Sequence, residues 1–123
     1  MGNEPQRVLI VDDVPQNISV FNEILKSRYT VAAATNGERA LQIASTEPYP
    51  DLIVLDIVMP GIDGFEVYRR LQADERTRQI PVVFLTAGGG AVDRPRDLDL
   101  RDVEILTKPV SPGQLLDAVA SNV

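Results

Sequence analysis

Asp12 and Asp13, Asp56, Thr86 and Lys108 each stand at the end of a short apolar run, and these residue types suit phosphoryl chemistry. Three carboxylates in one crevice repel one another and stay ionised at neutral pH only beside a compensating cation. Hard oxygen donors favour Mg²⁺, which takes one or two protein carboxylates, keeps several waters and shares the oxygens of a phosphate. Lys108 then supplies positive charge, and Thr86 a hydroxyl donor, to a phosphoryl group whose charge sits on its equatorial oxygens. Asp56 is the natural nucleophile, a carboxylate able to form an acyl phosphate. Few rival chemistries are left: Cys 0 and His 0 remove thiolates, Cys-based zinc sites, imidazole bases and a phosphohistidine within the chain.

The elements that must position these residues follow from hydrophobic period. Val8–Val11, Tyr29–Ala33, Leu52–Leu55, Val82–Leu85 and Val103–Leu106 read as five strands, several apolar without alternation, as burial on both faces of a parallel sheet requires. Helical spacing recurs between them: Val14, Ile18, Phe21 and Leu25; Ala40, Leu41 and Ala44 within 37–45; Gly64, Val67, Tyr68 and Leu71. Ser111-Pro112-Gly113-Gln114 opens a last helix with an N-cap hydroxyl, a proline at the first position and a capping-box glutamine. Pro60-Gly61-Ile62-Asp63-Gly64 is turn chemistry, with Asp63 at a helix N-terminus. The exception is 88–102, where three glycines and Pro95 predict a helix that is short, late or mobile. Strand-helix alternation implies an α/β sandwich with a mainly parallel sheet, and all five chemical residues then lie at C-terminal strand ends, the edge where open α/β sheets bind ligands.

With 123 residues, 44% of them hydrophobic, the chain fits one ordinary domain. A formal charge of -6 without a Lys/Arg run argues against tracking a nucleic-acid backbone. The start Met1-Gly2-Asn3-Glu4-Pro5-Gln6 has neither the basic nor the apolar part of a signal peptide, and no apolar stretch is long enough to span a bilayer. These features favour a cytoplasmic domain over 7–121 behind a flexible segment 1–6.

The chain resembles the receiver domain of two-component response regulators. The blocks that carry the likeness are Val8-Leu9-Ile10-Val11-Asp12-Asp13, the stretch from Asp51 to Phe65, Pro81-Val82-Val83-Phe84-Leu85-Thr86-Ala87 and Thr107-Lys108-Pro109. They occur in the family's order and extend over nearly the whole chain. The resemblance implies a doubly wound, flavodoxin-like domain of five parallel strands in the order 2-1-3-4-5, flanked by helices, with an atypical fourth helix. It implies that Asp56 is the phosphoacceptor and that Asp13, Asp56 and the backbone carbonyl of Val58 bind Mg²⁺, with Asp12 acting through metal-bound water. Thr86 and Lys108 would contact the phosphoryl oxygens, and the Lys108-Pro109 bond would be cis. The implied donor is a phosphohistidine on a histidine kinase or phosphotransfer protein. A C-terminal effector domain in a longer parent chain and a second copy of the chain are further partners to consider, and the chain would be a switch more than an enzyme.

Taken singly, each feature has a plainer reading: Asp12-Asp13 as a capped strand-to-helix turn, Asp56 as a loop carboxylate, Lys108 as a solvated cation and Thr86 as a strand residue. Their joint placement at equivalent strand ends favours the site. Ile105 stands where receivers commonly carry Tyr or Phe, and Arg101-Asp102-Val103 replaces a glycine-bearing turn, so the expected output runs unconventionally through 88–105. Two other functions compete. One is a degenerate receiver that only binds partners; the other is a Mg²⁺-dependent aspartyl-phosphate hydrolase of the haloacid-dehalogenase type, which expects Asp-x-Asp where this chain has adjacent Asp12 and Asp13.

Overall fold

Every strand pairing in the sheet is parallel, so the chain crosses a sheet face between successive strands, and helices make most of those crossings. The computed structural model describes residues 5–87 and 95–123. The elements run β1 (Arg7–Val11), α1 (Pro15–Leu25), β2 (Thr30–Ala34), α2 (Gly37–Ala44), β3 (Leu52–Asp56), α3 (Gly64–Ala73), β4 (Val82–Ala87), β5 (Glu104–Lys108) and α4 (Pro112–Asn122). The strand order is β2-β1-β3-β4-β5, as the resemblance implied.

Period-two alternation divides the strand residues between two cores. Leu9, Val11, Ile53, Leu55, Val82 and Phe84 face Ala40, Ala44, Phe65, Val67 and Leu71 of α2 and α3. Val8, Ile10, Leu52, Val54, Val83 and Leu85 face Phe21 and Leu25 of α1 and Leu115, Ala118 and Val119 of α4. Leu25 and Leu115 are fully buried, and each such side chain stabilises the fold by about 1.5–3 kcal/mol. The fully buried β3 and the exposed Thr30, Ala32 and Ala33 of β2 distinguish a central strand from an edge strand.

Two helix starts match the sequence signals at Asp63 and at Ser111 with Gln114, and a third, that of α2, is capped by Asn36, which the sequence reading did not single out. Asn36 and Asp63 accept the amides of Arg39 (2.8 Å) and Glu66 (2.9 Å), and Ser111 with Gln114 forms the complete capping box. Gly61 takes φ +78°, supplying the left-handed turn ahead of α3.

Boundaries shift modestly from the sequence expectation. Strand β2 runs one residue later, β4 extends to Ala87, and β5 starts at Glu104 and continues to Lys108. Residues 95–102 form turns and bends with no helix, in keeping with the disruption predicted there, while 88–94 lie outside the described residues. Leu100 is nevertheless buried, and Leu98 and Val103 pack against the α2/α3 core. Of the segment 1–6, residues 1–4 lie outside the described residues, and the Gln6 carbonyl accepts the Thr30 amide (2.9 Å). No described helix is long and apolar enough to cross a membrane.

Candidate functional site

After β1 the chain turns to one side to form β2 and then returns to the other side to form β3, so the order reverses between β1 and β3. A crevice opens at such a switch point beyond the carboxyl ends of the strands. Val11 pairs with Leu55, which sets Asp12 level with Asp56, the last residue of β3. Pairing of Thr86 with Thr107 and of Ala87 with Lys108 brings the other two strand ends to the same edge. The structure therefore gathers all five residues chosen from the sequence.

Carboxylate oxygens of Asp12, Asp13 and Asp56 lie within 4.8 Å of one another. Asp12 and Asp56 are buried and Asp13 is half-exposed. Lys108 Nζ donates to Asp12 Oδ2 at 2.8 Å and to Asp56 Oδ2 at 3.2 Å. One ammonium facing three carboxylates leaves an excess of negative charge in a partly dry crevice. Burial pushes the Asp56 carboxyl up, Lys108 pulls it down and the Asp12 charge pushes it up again, leaving it above the ordinary carboxylate value. Burial works against the Lys108 charge, but the hydrogen bond to Asp12 and the fields of Asp56 and Asp12 outweigh it and hold Lys108 above its ordinary value. The donor set is entirely hard oxygen, and among the described residues no protein donor hydrogen-bonds the Asp13 carboxylate, so these residues fit a divalent cation such as Mg²⁺. Among the described residues the buried Thr86 hydroxyl donates only a long bond to the Ala87 carbonyl (3.3 Å), one readily exchanged for another acceptor.

Two supporting residues escaped the sequence reading. Asn17 donates its side-chain amide to Asp12 Oδ2 at 3.2 Å, while the Val14 amide donates to Asp12 Oδ1 at 2.9 Å. Gly64 lies so close to the Asp56 carbonyl that a Cβ there would overlap it and stand 2.8 Å from Ile57 Cα. An asparagine in a helix first turn has many ordinary uses, so no local signal marks Asn17. Gly64 was read for helical spacing and as part of the Pro60–Gly64 turn, not for its approach to Asp56. The Lys108-Pro109 bond is cis, as expected, and Glu47-Pro48 is also cis, which was not expected.

Ile105 pairs with Phe84 and packs against the α2/α3 core. The Phe84 ring meets two aromatics from α3: Tyr68 edge-on and Phe65 tilted, each with ring centroids 5.4 Å from it.

Fold and crevice together define a doubly wound, flavodoxin-like α/β domain with an acidic, lysine-bridged site at its switch point. Residues 8–120 match the response regulator receiver domain, and the chain belongs to that family. It is a receiver domain, the phosphoryl-accepting signalling module of two-component systems. It is 41% identical over 116 residues to the response regulator PleD of Caulobacter vibrioides, covering 94% of this chain but 25% of that protein. Among solved structures, a sensor histidine kinase receiver domain from Pseudomonas aeruginosa, with magnesium in its active site cleft, is 30% identical with TM-score 0.80, covering 96% of this chain and 97% of that one. Response regulator protein TrrA from Thermotoga maritima, in complex with Mg²⁺-BeF, is 31% identical with TM-score 0.78, covering 96% and 99%.

Proposed function

We propose that Asp56 is the phosphoacceptor and that Asp12, Asp13, Asp56 and the Val58 backbone carbonyl hold Mg²⁺ there. The observation that carries this reading is the Lys108 ammonium bonded at once to Asp12 and Asp56 within a three-carboxylate cluster at the switch point. A carboxylate oxygen of Asp56 bonds to phosphorus as the phosphorus–nitrogen bond of a phosphohistidine breaks, and the imidazole leaves with its electron pair and then takes a proton. Lys108 and the Thr86 hydroxyl donate to the transferring phosphoryl oxygens, where negative charge is spread. Bound Mg²⁺ supplies the further positive charge that lets an anionic nucleophile meet an anionic phosphoryl group.

The donor is a histidine kinase or a histidine phosphotransfer protein, as membership of the receiver family suggests, and the lack of histidine in the chain is consistent with a donor on a partner. The rim suits a protein partner. Val14, Val20 and Val58 are 40%, 55% and 67% exposed, and Val20 shares a groove of about 400 Å³ with Asn17, Phe21, Ala87, Lys108 and Pro109. Phosphorylation is then relayed as a conformational change, with slow self-dephosphorylation resetting it and an effector domain in a longer parent chain or a second copy reading it. The expected output stretch 88–105 includes 88–94, outside the described residues. The domain occupies 7–121 and works in the cytoplasm.

Incubation with Mg²⁺ and acetyl phosphate, followed by intact mass, tests the assignment. One phosphoryl increment in the parent and none in Asp56→Asn is expected. Equal labelling of both would place the acceptor elsewhere, and no labelling of either would favour the partner-binding module.

A further inference from the structure

The Asp12 carboxylate, with 0% exposure, is held from three directions. Val14 N–H binds Oδ1 (2.9 Å), while Asn17 Nδ2 (3.2 Å) and Lys108 Nζ (2.8 Å) share Oδ2. Only the NH₂ end of the Asn17 amide can face a carboxylate, so its orientation is set by chemistry. The start of α1 is arranged around this contact. Its N-cap residue is Val14, which gives no side-chain cap. Asn17, the third helical residue, holds the position from which a capping-box side chain usually reaches back to the N-cap, and it turns to Asp12 instead.

The Lys108 contact is conditional in a way the Asn17 contact is not. On the function proposed above, which this inference rests on, a phosphoryl dianion arrives on Asp56, 3.2 Å from Lys108 at its Oδ2. It competes with singly charged Asp12 for the one ammonium and repels the Asp12 carboxylate. Asn17 is neutral, fixed on α1 and untouched by that change. We propose that Asn17 is a positioning residue for the phosphorylated state: it keeps Asp12 in place when Lys108 turns to the phosphoryl group. Without it, a buried carboxylate would lose both donors on one oxygen at the moment the site carries most negative charge.

The prediction is an effect that depends on state. Parent, Asn17→Ala and Asn17→Asp, the last matching asparagine in shape without its donor, are titrated with Mg²⁺ alone and with beryllium fluoride at saturating Mg²⁺ by calorimetry. The Val14 amide resonance is followed in parallel. Lys108 still holds Asp12 in the resting protein, so Asn17→Ala should bind Mg²⁺ within about twofold of the parent yet lose about tenfold in beryllium fluoride affinity, the scale of one hydrogen bond to a charged group. Asn17→Asp should lose at least as much. The Val14 amide of Asn17→Ala should match the parent before the fluoride and broaden or shift after it. Equal losses in both titrations would show a general structural role and overturn the inference, as would undiminished fluoride affinity in Asn17→Ala. A parent that ignores beryllium fluoride would instead overturn the phosphoacceptor reading beneath it.

Discussion

Gly64, the first residue of α3, packs its Cα against the backbone of Asp56, leaving no space for a side chain. The Gly64 amide donates to the Ile57 carbonyl at 2.8 Å, closing the turn that carries the chain from β3 into α3. The helix start thus braces the strand end that presents the proposed acceptor.

Substituting Gly64→Ala is therefore expected to destabilise the fold by about 1–3 kcal/mol, because the obstacle is backbone rather than a mobile side-chain tip. The urea midpoint measures this. Acetyl phosphate labelling of the folded fraction should also slow, since the Asp56 backbone must shift to admit the methyl group. A parent-like midpoint and labelling rate would contradict the close approach.

Divalent cation binding should stabilise the native state, because the three carboxylates converge only when the sheet is formed. At ten times its dissociation constant, Mg²⁺ is expected to add about 1.4 kcal/mol to unfolding free energy. A chelator should reverse the gain, and Asp13→Asn should remove most of it. Thermal melts with and without Mg²⁺ make the comparison, and equal Mg²⁺ responses in parent and Asp13→Asn would exclude Asp13 from the cation site.

Acid dependence offers a check far from the crevice. The Arg76 side chain and then its backbone amide, both bonded to Asp74 at the end of α3, lower the Asp74 carboxyl from 3.8 to about 2. A folded value below the unfolded one contributes stability at neutral pH that is lost as pH falls from about 4 towards 2. In Arg76→Ala the Asp74 carboxyl should rise only part of the way back towards the ordinary carboxylate range, because the backbone amide of residue 76 still bonds it, and that part of the acid dependence should shrink. Carbon-detected NMR titration of Asp74 reads the shift directly.

Arg69 ties α3 to the stretch before β5, donating from Nε to Asp97 Oδ2 (2.7 Å) and from its terminal nitrogen to Asp97 Oδ1 (3.0 Å) while also meeting Glu66. The pair is largely solvent-facing, so Arg69→Leu should leave the melting temperature close to the parent's. Loss of the tether should show as faster hydrogen exchange at Leu98 and Val103, whose amides bond the carbonyls of Pro95 and Leu100. Unchanged exchange at both amides would show that apolar packing of Leu98, Leu100 and Val103, not the Arg69 tether, holds this stretch.

What the sequence determined was set by local rules. Short unbroken apolar runs such as Leu52–Leu55, bounded by turn residues, fit strands buried on both faces of a parallel sheet, and Asp63, Ser111 and Gln114 mark helix starts through hydrogen bonds made within one turn. Because the polar residues follow those runs directly, parallel pairing alone carries Asp12, Asp56, Thr86 and Lys108 to one edge. The tertiary structure decided everything that depends on approach between distant elements. Lys108 reaches Asp12 across 96 positions, Arg69 meets Asp97 across 28, and the Gly64 backbone meets the strand end it follows. Asn17 is the sharpest case: only five positions separate it from Asp12, yet its partner depends on how the first turn of α1 is angled over the end of β1. Periodicity specifies which face of an element is buried; the distance between two polar side chains is set by packing, which no local pattern encodes.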